Sequence, residues 1–343
     1  MKNIWLYSVR FYIRLGLFFY FKKIHTHNID FIPKNKPVLF LANHQNALLD
    51  ALLIATSNKR FSYFLTRAAV FKNPLVSRIL KSLQMLPVYR VRDGWNNLSN
   101  NSAIFNVCAA LFNKGEAIVI FPEGNHNLKR MVRPLSKGFT RIVFETYEQY
   151  PNTDLQLIPV GLNYVKAEKF PDSVSLFFGK PIHASDFITE NKNEDVVKLK
   201  ARIHLEISKL TTHIPLENYN KNLNKLKALN VDFLDPKFVN TCIESDFSQY
   251  EFKKNTHSNL LKKAFKLLLI CNLIIPYLIW KLIAQPKIED IEFVSTFRFA
   301  IAITLVPIWL LFLILFLAFS IGWLWACVYL VTVLCIVLIA VKS

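Results

Sequence analysis

The chain has 343 residues, enough for one large domain or two ordinary ones, and 52% are hydrophobic with a mean hydropathy of +0.27, high for a soluble protein. Formal net charge is +18, and residues 1–265 carry +16 of it, so the basic excess sits on the polar part of the chain. Such an excess suits anionic lipid headgroups or nucleic acid; the long apolar runs favour lipid, and no nucleic-acid-binding motif occurs.

Residues 1–24 are aromatic-rich, with Arg10 and Arg14 one helical turn apart among Trp5, Phe11, Phe18 and Phe19. The arginines interrupt the stretch, and no small-residue cleavage site is evident, so a helix lying in the bilayer interface is expected rather than a signal peptide. Residues 25–214 read as one domain. Apolar strands are expected at Val38–Ala42, Ser62–Thr66, Met85–Tyr89, Ala117–Phe121, Leu155–Asn163 and Ser173–Phe178. Helices fall between them at Asn73–Leu83, Leu98–Asn113 and Ser136–Gln149, and a polar helix at Asn193–Thr211 closes the unit. This alternation predicts a layered α/β domain.

Residues 215–260 are polar, Asn- and Lys-rich, and read as a linker with some helix. Residues 261–343 hold three apolar segments, Lys266–Ala284, Phe299–Ser320 and Ile321–Val341. Each approaches the length needed to cross a hydrocarbon core of roughly 30 Å. The last two abut at Gly322, which suggests a hairpin, Pro276 and Pro307 are expected to kink their helices, and the first segment fits a re-entrant or interfacial helix as well as a span. Lys253, Lys254, Lys262, Lys263 and Lys266 precede the first segment and predict that side to be cytoplasmic. The five cysteines include no CxxC pair and read as free, mostly buried thiols in a reducing compartment.

Two clusters of titratable residues each follow an apolar strand. Asn43-His44-Gln45-Asn46-Ala47-Leu48-Leu49-Asp50 follows Val38–Ala42, and Phe121-Pro122-Glu123-Gly124-Asn125-His126 follows Ala117–Ile120. Strand ends of open α/β sheets are where ligands bind. Together with Leu86-Pro87-Val88-Tyr89-Arg90 and Leu157-Ile158-Pro159-Val160-Gly161, they resemble, in order, the four blocks of the glycerophospholipid acyltransferases, the family of lysophosphatidate and glycerol-3-phosphate acyltransferases. The resemblance covers roughly residues 30 to 185. It implies an acyltransferase domain with a central mixed sheet, joined here to an interfacial N-terminal helix and C-terminal transmembrane helices.

The resemblance also implies site roles. His44 is the general base and Asp50 its orienter; Arg90, with Arg92 as the weaker candidate, anchors a phosphate; Glu123 and Gly124 cradle the acceptor; Lys137 adds charge; and Pro159 lies on the acyl-chain side. Five residues separate His44 from Asp50 where the family usually has four, a spacing resembling that of some fungal-type glycerol-3-phosphate acyltransferases. Six helical steps rotate by about 240°, so His44 must precede the helix that carries Asp50. Where the family has Thr-Arg this chain has Asn125-His126, and Lys129, Arg130, Arg133 and Lys137 follow. Such a charge run is ordinarily a solvated face.

Taken alone, Asp50 also fits a helix cap, Arg92 a surface residue paired with Asp93, and Pro159 a strand edge or bulge. The expected activity is acyl transfer from acyl-CoA or acyl-carrier protein to 1-acyl-glycerol-3-phosphate, with glycerol-3-phosphate the rival acceptor. It calls for no metal or other cofactor, and the partners implied are membrane lipids. The rival of another class is a non-catalytic protein that binds anionic lipid.

Overall fold

The structure, a computed structural model, describes residues 2–89, 100–248 and 260–343. Its centre is a sheet of eight strands among the described residues, ordered β1-β7-β6-β2-β5-β3-β4, with β8 also paired to β6. The strands are β1 Lys23–His27, β2 Val38–Ala42, β3 Tyr63–Arg67, β4 Met85–Val88, β5 Ala117–Ile120, β6 Gln156–Tyr164, β7 Ser173–Phe178 and β8 Ile182–His183. Pairing from β6 through β2, β5 and β3 to β4 is parallel, while β7 and β8 run antiparallel to β6. The sheet is therefore mixed, as the resemblance implied. All of its parallel core ends on one side.

Alternation along the strands divides the core into two layers. Val38, Phe40 and Ala42 of β2 face α1 (Lys2–Tyr20), α2 (Ala47–Ser57) and the start of a long C-terminal helix, in a cluster with Leu17, Leu49, Leu53 and Phe299. Leu39 and Leu41 face the other way, toward α4 (Asn100–Asn113), α5 (Gly138–Gln149) and α6 (Lys192–Leu210), in a cluster with Phe112, Phe139, Ile142 and Ile203. Burial on both faces is why β2 and β5 read as unbroken apolar runs. Strand β1 escaped the sequence reading because it is an edge strand, Lys-Ile-His-Thr-His, pairing among the described residues with β7 alone and half in solvent. The third helix, α3 (Pro74–Ser82), precedes β4.

Pro159 occupies a central strand, which the loss of its N–H normally forbids. Its carbonyl accepts from the Gly179 N–H (2.8 Å), so its missing donor faces the same edge of β6. Along that edge β8 pairs at Gln156 and Leu157 and β7 begins only at Val160, so Pro159 falls in the gap between two partners. Two residues on, Gly161 lies so close to α6 that a Cβ there would meet the Leu210 carbonyl oxygen at 2.1 Å.

Residues 214–248 contain α7 (Tyr219–Ala228) and α8 (Pro236–Glu244), folded around Ile214, Leu226, Val231, Phe233 and Val239. A helix α9 (Leu260–Asn272) follows, then α10 (Ile274–Leu278) leading into a π-helical turn at Ile279–Ala284. Last come α11 (Val294–Ile321) and α12 (Trp323–Lys342), joined at Gly322 with φ +103°.

Among the described residues, two stretches, Ile291–Ile321 and Trp323–Lys342, are long and apolar enough to cross a membrane. The segment before them is bent by 97° between Asn272 and Ile274, so it is either a broken span or a re-entrant element. Both ends of the hairpin rest on the domain: the Ser295 hydroxyl donates to Ala167 O (2.6 Å), and Lys342 Nζ donates to Phe21 O (2.7 Å). Three of the five cysteines, Cys271, Cys327 and Cys335, are exposed on these apolar helices, and only Cys108 and Cys242 are buried, a correction to the expectation of mostly buried thiols.

Two prolines interrupt the helical hydrogen bonding here, and each leaves the carbonyl four residues earlier without its usual donor. For Pro276 that carbonyl is Asn272, which accepts instead from the Trp309 indole N–H at 2.9 Å. For Pro307 it is Ile303, which accepts from the Tyr12 hydroxyl of α1.

The Gly161 contact yields a direct test. Gly161→Ala is expected to lower unfolding free energy by about 1–3 kcal/mol by forcing α6 off the sheet, read from thermal unfolding in detergent.

Candidate active site

Asp50 sits in the first turn of α2, completely buried. Its Oδ2 lies 2.8 Å from His44 Nδ1 and accepts the Gln45 and Asn46 backbone N–H groups, also at 2.8 Å. Its Oδ1 accepts the Tyr164 hydroxyl at 2.5 Å. A carboxylate offers only acceptors, so Nδ1 of His44 carries the hydrogen and Nε2 keeps its lone pair. The Tyr164 phenol is itself fully buried, and burial together with Asp50 raises its pKa well above the usual value, so it remains a donor.

The local sequence explains how the long His–Asp spacing closes. His44 lies two residues beyond β2, ahead of α2 rather than on it. Asn43 fixes the strand end by donating to and accepting from the Leu162 backbone (3.0 and 2.8 Å). Asn46 donates its side chain to Ala167 O at 3.0 Å. The chain then turns through Ala47 at φ +39°, a left-handed conformation that costs a residue with a Cβ about 1–2 kcal/mol. The additional residue is absorbed in that turn, and Asp50 still faces His44.

The second cluster follows β5, the neighbour of β2. The Asn127 N–H donates to His44 O (3.0 Å), which ties the two loops together. The Phe121 ring stacks on the His44 imidazole at 4.0 Å between centroids. Gly124 closes a turn with its N–H on Phe121 O and has φ +78°, with open space where a Cβ would be; backbone conformation, not crowding, calls for glycine there.

Glu123, expected to receive substrate hydroxyls, is instead turned inward. Its side chain is 2% exposed and its Oε2 accepts the Arg133 Nε–H at 2.6 Å. Burial pushes its pKa up to about 7 against the opposing pull of Arg133. Arg133 also donates to Asn125 Oδ1 and to the Asn125 carbonyl.

The charge run beyond Glu123 is therefore not a uniform solvated face. Lys129 and Lys137 are exposed, but Arg130 points into the domain, donating to Tyr164 O and Val165 O (both 2.7 Å) with its guanidinium 3.7 Å above the Phe233 ring. Burial lowers its pKa to about 10, which leaves it charged at neutral pH. The 214–248 unit completes the clamp. The Arg130 N–H donates to the Tyr219 hydroxyl (2.9 Å) and the Ile214 N–H donates to Arg130 O (2.8 Å).

With this geometry in place, comparison with known proteins is informative. The acyltransferase family model matches residues 23–163, a span holding β1 to β6, the His44–Asp50 pair and the Glu123 loop. Residues 23–163 therefore resemble an acyltransferase domain. Over 79 residues, 23% of the chain, it is 34% identical to an uncharacterized acyltransferase of Schizosaccharomyces pombe. Over 86 residues, 24% of the chain, it is 28% identical to glycerol-3-phosphate O-acyltransferase 1 of Saccharomyces cerevisiae. These matches span about a tenth of each relative, 12% and 11% respectively. Among solved structures, the 1-acyl-sn-glycerophosphate acyltransferase PlsC of Thermotoga maritima is similar with a TM-score of 0.44 and 19% identity, over 59% of this chain and 78% of that one.

Within the acyltransferase domain, His44, Asp50, Glu123 and Gly124 gather at the ends of β2 and β5. Lys137 stands at the N-cap position of α5 without a capping side-chain hydrogen bond and is exposed, and Pro159 is buried in β6 beside Leu41, three positions before His44. Arg90 and Arg92 lie outside the described residues. Tyr89, just before them, is held by Asn101 of α4, whose side chain accepts its N–H (2.9 Å) and donates to its carbonyl (2.8 Å).

Three residues of the site had not been assigned roles. Tyr164 and Arg133 carry no local signal, since their partners are distant in sequence or appear as one charge in a run. His126 stands 5.6 Å from the His44 ring and 4.5 Å from Phe293, between centroids, and burial with the neighbouring His44 lowers its pKa. Its only flag was the departure from Thr-Arg.

Two outcomes are expected. Tyr164→Phe leaves Asp50 Oδ1 without a donor in a dry site and should cost about 1–3 kcal/mol of stability, read from unfolding in detergent. Glu123 holds its proton more tightly when folded than when unfolded, so the contribution it makes is complete below about pH 4.5 and is lost as pH rises through about 7. Stability should fall by roughly 3 kcal/mol across that window, and unfolding measured against pH should show this component absent in Glu123→Gln.

Proposed function

We propose that the protein transfers a fatty acyl group from an acyl thioester to the free hydroxyl of 1-acyl-glycerol-3-phosphate. The observation that carries this reading is the His44–Asp50 pair, with Nδ1 committed to a buried carboxylate and Nε2 left to accept a proton. His44 Nε2 takes the proton of the acceptor hydroxyl as its oxygen attacks the thioester carbonyl carbon. The tetrahedral intermediate collapses with cleavage of the C–S bond, and the imidazolium returns the proton to the leaving thiolate. Asp50 holds the ring orientation and offsets the imidazolium charge throughout. The step needs no metal, cofactor or covalent enzyme intermediate, and acyl-CoA or acyl-carrier protein supplies the thioester. Arg90, with Arg92 beside it in sequence, is the proposed phosphate anchor, because a guanidinium fork matches phosphate geometry.

An amphiphilic acceptor is favoured by position. His126 bridges the His44 ring to Phe293, and α11 begins at the next residue, so the base stands at the foot of a candidate span. A lipid held at headgroup depth meets the base there without leaving the bilayer. The domain is assigned to the cytoplasmic face on the strength of Lys262, Lys263 and Lys266 ahead of the apolar region. Glycerol-3-phosphate is the second reading, supported by the five-residue His–Asp spacing and by the name of the Saccharomyces cerevisiae relative.

The test offers purified protein an acyl-CoA or acyl-carrier-protein donor with each acceptor in parallel. Transfer to the lysolipid is expected to exceed transfer to glycerol-3-phosphate, and the reverse preference selects the second reading. His44→Ala and Asp50→Asn should each lower turnover by ~10²-fold or more. Activity indifferent to His44, with lipid binding retained, would leave the non-catalytic lipid-binding protein as the explanation.

A further inference from the structure

Helix α1 exposes a row of large apolar side chains, including Ile4 (71%), Tyr7 (63%) and Phe11 (69%). A second helix, α3, does the same with Leu75 (64%), Ile79 (47%) and Val76, and Val70 in the preceding turn is exposed beside it. At 100° per residue Leu75, Ile79 and Val76 share one side of α3, Arg78 borders it, and Lys81 lies on the opposite side. Nothing in the described fold covers that side. A soluble protein would not leave such a face open.

The charge around it has one sign. No Asp or Glu occurs between Ala51 and Arg92, and none precedes Asp30. Lys72, Arg78 and Lys81 form no ion pair among the described residues. Apolar side chains bordered by unpaired cations, with no carboxylate, match an anionic bilayer surface.

The position of the face is fixed by its neighbours. The Trp5 indole N–H of α1 donates to the Ser82 hydroxyl at the end of α3 (3.2 Å), and Tyr12 of α1 donates to Ile303 O of α11. The 19-residue α1, about 28 Å long, thus links α3 to the helix that enters the bilayer. Trp5, Tyr7 and Tyr12 are the residue types that settle at the membrane–water boundary. We propose that α3 lies in the headgroup region of an anionic bilayer, as a second in-plane helix beside α1, with Leu75, Val76 and Ile79 toward the acyl chains and Arg78 toward lipid phosphates. Because α3 leads directly into β4, this contact holds the β3–β4 edge of the sheet against the membrane, at the strand that precedes Arg90.

The experiment uses the full chain with Cys271, Cys327 and Cys335 replaced by serine, reconstituted in nanodiscs of phosphatidylglycerol and phosphatidylcholine. Nitroxide labels are placed through Leu75→Cys, Ile79→Cys and, as a control, Lys81→Cys. Collisions with oxygen, which concentrates in lipid, and with a water-soluble nickel chelate report depth. Labels at positions 75 and 79 are expected to favour oxygen over nickel several-fold relative to the label at 81. Arg78→Glu, or discs of phosphatidylcholine alone, should reduce that preference.

Free nickel access at 75 and 79 would place α3 in water and overturn the proposal. Low access to both reagents would mean that protein, such as a second copy of the chain, covers the face, and would overturn it too. A depth unchanged in zwitterionic discs would remove the role assigned to lipid charge.

Discussion

A carboxylate shut away from water governs this domain. Burying the Asp50 charge alone costs several kcal/mol. Three donors on one oxygen and one on the other offset that cost, at about 1.5–3 kcal/mol for a hydrogen bond to a charged group. Those donors come from the turn after β2 and from the far end of β6. Satisfying Asp50 therefore shapes the turn, sets the His44 tautomer and docks α2 on the sheet in one arrangement. An imidazole held this way keeps one ring orientation before any partner meets it.

The Glu123 loop obeys the same rule with different parts. Its buried carboxyl is met by the Arg133 guanidinium, while Arg130 and the 214–248 unit fasten the loop from beneath. The family match ends at residue 163, so part of the support for this loop comes from outside the matched region. A segment that looks like polar punctuation in the sequence thus helps to fix the geometry beside His44.

Much of the fold was legible because burial on both faces writes strands as apolar runs. Strands β2 and β7 begin and end where the sequence places them, and β5 differs by one residue. The His44 and Glu123 clusters were legible for a related reason: polar groups crowded at the end of a buried strand have few structural uses. What the sequence hid depends on distant partners. Strand β1 is polar and needs β7 to exist as a strand, Tyr164 lies 114 residues from the carboxylate it serves, and Arg130 looks like one more surface charge until Phe233 closes over it. Pro159 pointed to an edge or bulge, and the gap between β8 and β7 meets the same chemical need inside the sheet.

The proline in α11 has a consequence for how the protein is made. Its freed carbonyl at Ile303 is capped by a hydroxyl from Tyr12, a residue synthesised almost three hundred positions earlier. In hydrocarbon or at its border an uncapped carbonyl is costly. Helix α11 therefore reaches its final backbone hydrogen bonding only after meeting α1. Maturation of the membrane hairpin and docking of α1 become a single late event in biogenesis, and a chain that fails at one would be exposed to quality control at the other.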